Sequence, residues 1–240
     1  MDQDEIRYEL EALKSEKYHL LKLINHDIRS PFNRIFALMQ LIELDSAELS
    51  TQQQEYFNAI YLTVLSGLEM VQNLRDMRDI DAGLVKIEIA PVDLDEILTK
   101  SIRSFSRQTE LKHISIELAA FDEPITITAD AYYLQRCIEN LLSNAIKFTQ
   151  QNRLIVMSAS RVGDLTKIEI QDNGPGVKMD EEPYLYEKFR KLSSLATGGE
   201  GSLGLGLYNT RHFAKLMRGT VRLVRNGQLG SCFILEAPSA

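Results

Sequence analysis

The chain is poor in cysteine. Its 240 residues hold two, Cys137 and Cys232, isolated from each other and from any metal-ligand spacing. A disulfide framework and a zinc site are therefore not expected, and a reducing, cytoplasmic setting is. Long apolar runs are missing too. No stretch nears the ~18 residues that a membrane-spanning helix needs, and the opening residues carry no secretory-signal pattern. Positive charge is in deficit, with 27 Lys and Arg against 34 Asp and Glu, a formal net charge of -7 and a pI near 5.2. Phosphate affinity needs a basic surface, so a nucleic-acid partner is set aside. There is no internal repeat and no low-complexity tract. What is present, 44% hydrophobic and 25% charged residues, is ordinary globular composition, and the length fits one or two domains.

The first third reads as helix. Ile6, Leu10, Leu13, Leu20, Ile24, Ile28, Ile35, Leu38 and Leu41 recur at spacings near three, four or seven, which predicts one long amphipathic helix broken at Asp45-Ser46-Ala47. Ser50 or Thr51 offers an N-cap for a second helix. Its stripe is Tyr56, Ile60, Val64, Val71, Leu74 and Met77, and Gly83 is its expected stop. One hairpin cannot cover both stripes, so two copies pairing as a dimeric four-helix bundle is the economical solution. The heptad-like spacing from Ile6 to Leu21 reads as a coiled coil entering from a sensory part upstream of this chain.

After Gly83 the periodicity changes. Alternation predicts strands over 85–89, 114–118, 125–128, 154–159, 167–171, 220–224 and 232–236. Helical patterns cover 94–111, 131–148 and 205–217. The fold class expected is α+β, a helical hairpin followed by an α/β layered domain. The boundary falls near 82–92, giving domains 1–82 and 83–240. Residues 177–203 carry weak periodicity, and a loop that long in a compact domain is usually functional.

Two sets of residues carry chemistry. The first is Asn25-His26-Asp27-Ile28-Arg29-Ser30-Pro31. A neutral imidazole can attack phosphorus with one nitrogen while the other carries a proton, which Asp27 can accept. Ser30, four residues on, shares the helix face of His26. Pro31 cannot donate to the carbonyl of Asp27 and crowds it, so a kink is expected, at a cost of ~3 kcal/mol that something must offset. Alone, His26 is better read as a solvated helix histidine and Pro31 as a bend in a surface helix; the residues downstream reverse that reading. His19, His113 and His212 lack the following acid and proline, and read as surface or internally satisfied histidines.

The second set lies downstream. Helical geometry puts Asn140, Asn144 and Lys147 on one face and Leu134, Ile138, Leu141, Ala145 and Phe148 around another. Asparagine oxygens suit Mg²⁺, and Lys147 can meet a phosphate. Asp172-Asn173-Gly174-Pro175-Gly176 follows a strand. Its carboxylate can accept from an exocyclic amine such as that of adenine, while Gly174 and Gly176 permit close approach. Gly204 and Gly206 stand at the opening of a helix, where phosphate binds readily. In the loop between the Asp172 motif and this glycine pair, Lys188, Phe189, Arg190 and Lys191 could fold over a triphosphate. Each piece has a plain alternative: a solvated polar helix face, a tight Asn-Gly-Pro turn, a solvated charged loop.

Taken in order, these blocks resemble the sensor histidine kinases of two-component systems over nearly the whole chain. Residues 1–82 are similar to the dimerisation and histidine-phosphotransfer hairpin. Residues 83–240 are similar to the catalytic ATP-binding domain, an α/β sandwich with a mixed sheet shared with gyrase-type and Hsp90-type ATPases. His26, Asp27 and Pro31 match the H box, 140–148 the N box, 172–176 the G1 box, 186–189 the F box and 201–207 the G2 box.

The resemblance implies ATP-dependent autophosphorylation on His26, with Asp27 as proton acceptor. The phosphoryl group would then pass to an aspartate of a response-regulator receiver domain. It implies ATP and Mg²⁺ as cofactors, with Asn144 as metal ligand and Asn140, Lys147 and Phe148 beside the nucleotide. Asp172, Gly174 and Gly176 would take the base, Gly204 and Gly206 the phosphates, and 177–203 would form the lid with Phe189, Arg190 and Lys191. It further implies a homodimer that is cytoplasmic or the cytoplasmic part of a membrane-bound sensor. Two positions depart from the pattern. Ser30 stands where Thr or Asn is usual, which leaves phosphatase activity open, and Ser202 stands where glycine is usual. A phosphotransfer scaffold without turnover, and a gyrase-like ATPase, remain alternatives. The signal, the cognate regulator, cis or trans phosphorylation and the kinase–phosphatase balance are not legible.

Overall fold

In a computed structural model, the described residues are 3–45, 49–121, 123–193, 196–197, 201–224 and 230–240; within the first helix several side chains, that of His26 among them, lie outside the description. The chain divides into two compact units, residues 1–85 and 86–240.

The first unit is two long helices. α1 runs Gln3–Asp45 and passes through Pro31. The break expected at 45–47 falls partly on residues outside the description. α2 runs Thr51–Asp81 and starts at Ser50 with a capping box, in which Ser50 Oγ accepts from Gln53 N and Gln53 Oε1 accepts from Ser50 N. The reciprocal bonds satisfy two groups at the helix start. It ends as expected at Gly83, which takes φ 65°. Gly83 N donates to the carbonyl of Ile80, and Leu84 N to that of Asp79, the pairing of a Schellman stop. The helices are held by Met39, Phe57 and Val64, with Phe32, Phe36, Leu49, Tyr61 and Leu68 packed around them. Ile28, Ile35, Leu38, Leu41, Ile42, Tyr56 and Ile60 stay exposed, so a broad apolar surface is left uncovered in the single chain.

The second unit packs helices on a mixed sheet. β1 (Ala90–Asp93) pairs antiparallel with β3 (Thr126–Ala129). The main sheet has the order β2-β4-β5-β7-β6, from β2 (Ser115–Leu118), β4 (Leu154–Val162), β5 (Leu165–Gln171), β7 (Cys232–Pro238) and β6 (Thr220–Val224). β2 and β4 run parallel and the other neighbours antiparallel. α5 (Ala131–Phe148) and α6 (Gly206–Leu216) lie together against this sheet, and α3 (Leu94–Ser104) packs on α5. α5 begins where Asp130 Oδ1 accepts from the N–H groups of Tyr132 and Tyr133 at 3.0 and 3.1 Å. Leu134, Cys137, Ile138, Leu141 and Leu142 are fully buried along it, an apolar stripe at helical spacing that fixes the helix on the sheet.

Two expectations need correction. Residues 85–89 alternate in sequence but form no strand, and the strand there is β1. The reason is supply of partners: β3 has four residues, and Ala90 to Asp93 take all of them. The single helix expected over 94–111 is two, with α4 (Ser106–Leu111) starting after Phe105 leaves helical torsions at φ -105°, ψ 2°. Just before it, Ser104 Oγ donates to the carbonyl of Ser101, a back-bond that bends helices.

Candidate active site

The phosphoacceptor candidates belong to the first unit. His26, Asp27 and Ser30 lie within α1. Asp27 and Ser30 are exposed, and the His26 side chain lies outside the described residues.

The nucleotide candidates belong to the second unit, and α5 and α6 bring several together. Asn140 and Lys147 are buried and Asn144 is half-buried, so this polar face is not merely solvated. Asn140 Nδ2 donates to the carbonyl of Gly206 at 3.5 Å, and Thr210 Oγ1 donates to the same carbonyl at 2.9 Å. The N-terminal turn of α6 is thereby tied to the middle of α5. Among the described residues no side chain caps that turn, whereas Ser50, Asp93 and Asp130 cap α2, α3 and α5. Uncapped N–H groups at a positive dipole end are suited to an anion. Gly204 precedes the turn at φ 68°, and its carbonyl accepts from Phe189 N at 3.1 Å.

Asp172 follows β5 and is 5% exposed. Its Oδ1 accepts from Gly174 N at 2.7 Å and Ser231 N at 3.2 Å, and its own N–H donates to the Ser231 carbonyl at 2.9 Å. The Ser231 side chain also hydrogen-bonds this carboxyl. Burial pushes the Asp172 carboxyl above the usual range, while the bonds from Gly174 and Ser231 pull the other way. Gly174 is required by close approach: a Cβ there would lie 2.9 Å from both Asp172 Oδ1 and the Phe148 carbonyl oxygen. Gly176 takes φ 73°. The turn is thus clamped between the end of α5 and the start of β7, unlike a solvated surface turn.

In the stretch 177–203, Lys188 lies over the Tyr208 ring and Arg190 over the Tyr184 ring, at 4.8 and 4.7 Å from the centroids. Phe189 and Lys191 are exposed. Sequence reasoning missed three contributors. Thr197 N donates to the Lys147 carbonyl at 2.9 Å, and the one proton of Oγ1 is shared between the Lys147 and Thr149 carbonyls, each at 3.0 Å. Buried Lys112 donates from Nζ to the Ile146 carbonyl at 2.8 Å, placing a cation on the negative end of α5. Ser231 completes the Asp172 turn. Each acts through a partner distant in sequence; only Ser231, next to a glycine, carried any local signal.

A gyrase-like ATPase would need an acid to activate water, and Glu139, which adjoins Asn140, is engaged along its own helix. Glu139 Oε1 accepts from Gln135 Nε2 at 2.7 Å, and Oε2 faces Arg136 at 3.4 Å, all along α5. Among the described residues no group of three His, Cys, Asp or Glu could hold a metal. An amide oxygen on half-buried Asn144 fits a cation whose remaining ligands are phosphate oxygens and water.

Comparisons with known proteins match both units. Residues 16–83 match the family described as His Kinase A (phospho-acceptor) domain. Residues 129–240 match the family described as histidine kinase-, DNA gyrase B- and HSP90-like ATPase. The circadian input-output histidine kinase CikA of Synechococcus elongatus is 26% identical over 95% of this chain and 31% of its own length. The aerobic respiration control sensor protein ArcB of Escherichia coli is 28% identical over 96% of this chain and 30% of its own. This chain thus spans less than a third of these curated relatives. Among solved structures, full-length ShkA in complex with AMPPNP superposes with a TM-score of 0.65 at 28% identity, covering 92% of this chain and 46% of that one. The Acinetobacter baumannii histidine kinase AdeS, at 17% identity and TM-score 0.58 over 89% of this chain and 97% of its own, shares the fold.

Proposed function

Because the chain belongs to the sensor histidine kinases of two-component systems, we propose that it takes the γ-phosphoryl group of ATP onto His26 and passes it to an aspartate of a response-regulator receiver domain. In this reading residues 1–82 are the dimerisation and phosphotransfer hairpin and 83–240 the ATP-binding domain. The observation that carries the nucleotide assignment is the Asp172 turn. Two backbone N–H groups hold one carboxylate oxygen in place, and the buried carboxylate so oriented is the acceptor for the exocyclic amine of adenine. Asn140, Lys147 and Phe148 line the neighbouring helix, and the uncapped turn at Gly206 offers N–H groups to the phosphates. Gly204 and Gly176 keep the backbone close, and Phe189, Arg190 and Lys191 belong to the covering segment.

When bound, Mg²⁺ held by Asn144 and the phosphates spreads the charge of the triphosphate. His26 attacks with one imidazole nitrogen; the new N–P bond forms as the P–O bond to ADP breaks, and the proton of the second nitrogen moves to Asp27. Catalysis is mainly positioning, so the two units must swing together about the 81–91 stretch. The uncovered apolar surface of α1 and α2 supports pairing of two copies as a homodimer. The exposed Ser30 hydroxyl is the group through which water could be aligned for dephosphorylating the regulator. Among the described residues no helix is long and apolar enough to cross a membrane, and the sensory part is assigned to sequence outside this chain.

The test is a chase. Protein labelled from γ-labelled Mg-ATP is mixed with a receiver domain, and label should leave the kinase for the receiver. Steady phosphate release with no labelled protein at any time would instead indicate an ATPase.

A further inference from the structure

Gly67 is the one glycine of α2, and glycine inside a helix is disfavoured relative to alanine. Its neighbour across the hairpin supplies the reason. The far edge of the Phe32 ring occupies the place of the missing side chain: a Cβ on residue 67 would lie 2.5 Å from Cζ, 2.6 Å from Cε1 and 2.9 Å from Cε2. Carbon atoms in comfortable contact stand ~3.5–4.0 Å apart, so a methyl group cannot be added while the ring stays. Phe32 also packs against the cluster of Met39, Phe57 and Val64, which limits where the ring can go. Phe32 directly follows Pro31. Proline there removes the bond to the Asp27 carbonyl, so the turn from His26 to Ser30 lacks one helical hydrogen bond on its C-terminal side. The Phe32–Gly67 contact is the first packed point after that weakened turn.

We propose that Gly67 is a positioning residue for phosphorylation. It admits the Phe32 ring against bare α2 backbone, sets the spacing of α1 and α2 just past Pro31, and thereby fixes the direction in which the His26 turn is presented. The proposal rests on the reading of His26 as phosphoacceptor.

The experiment compares wild type, Gly67→Ala, Phe32→Leu and the double variant in the whole chain. Three quantities are read: the initial rate of His26 labelling against Mg-ATP concentration, the affinity for a fluorescent ATP analogue, and the melting temperature. A displaced reacting group can cost ~10²-fold in rate for ~1 Å, so Gly67→Ala should lower kcat by roughly 10- to 100-fold. KM for ATP and analogue affinity should hold, because the nucleotide residues belong to the other unit. The shorter leucine in the double variant should restore most of the rate. Wild-type kcat in Gly67→Ala overturns the proposal. So does parallel loss of nucleotide affinity, or a double variant that melts like wild type yet stays slow. If Gly67→Ala fails to fold, Phe32→Leu alone decides: it empties the seat and should lower kcat with affinity unchanged, and an unchanged kcat overturns the proposal. An unlabelled wild type would overturn the His26 reading, and the proposal with it.

Discussion

Asp172→Asn separates the binding role of the 172–176 turn from its structural role. The amide oxygen can take the place of Oδ1 and keep the bonds from Gly174 N (2.7 Å) and Ser231 N (3.2 Å). The new NH₂ then stands where Oδ2 was, and it donates where the proposed adenine amine also donates. A hydrogen bond to a charged group contributes about 1.5–3 kcal/mol. At ~1.4 kcal/mol per tenfold, Mg-ATP affinity should fall roughly 10- to 100-fold. The thermal midpoint at neutral pH should hold or rise, because a carboxylate penalised by burial is replaced by a neutral group. The donor also creates a signature. Inosine triphosphate carries an acceptor oxygen where ATP has its amine, so the variant should bind ITP better than the wild type does. The assay is a titration of each nucleotide with Mg²⁺, beside a melt. ATP affinity unchanged in a folded variant, or ATP and ITP weakened alike, would refute the reasoning.

Three further outcomes concern stability and the 177–203 segment. The raised Asp172 pKa means that its contribution to stability is fully present below the unfolded value, near 3.8, and is lost as pH rises through the folded value. The stability of Asp172→Asn relative to wild type, from urea melts, should therefore climb with pH across that window; a flat or falling difference contradicts the burial argument. Ser50→Ala removes the capping box of α2 and should cost about 1 kcal/mol of hairpin stability in a denaturant melt, with nucleotide affinity unchanged. Thr197→Val keeps the N–H bond to Lys147 and loses the hydroxyl bond shared between the Lys147 and Thr149 carbonyls. At about 1 kcal/mol, protease cleavage within 177–203 of the nucleotide-free protein should quicken about fivefold, and equal cleavage rates would show that the hydroxyl holds nothing.

What was legible in the sequence was what is local. α5 is written in one stripe of apolar residues, and its bounds of Ala131 and Phe148 coincide with the pattern. Ser50 and Gly83 announce the ends of α2 because caps act on their own helix. The burial of Asn140 and Lys147, and the tie from Asn140 to Gly206, were not legible, since they depend on how α5 meets α6. The false strand at 85–89 has the same origin: alternation describes a face, but a strand exists only where a partner has free backbone groups. Thr197 and Lys112 look like ordinary surface residues until the carbonyl end of α5 is placed beside them.

The central claim concerns one nitrogen–phosphorus bond, and it is tested most directly by mapping where the phosphoryl group resides. After brief incubation with γ-labelled Mg-ATP, wild type should carry acid-labile, base-stable label in the peptide containing His26. His26→Gln should carry none while binding the nucleotide as tightly as before. Label in any other peptide, or label surviving in His26→Gln, would contradict the account.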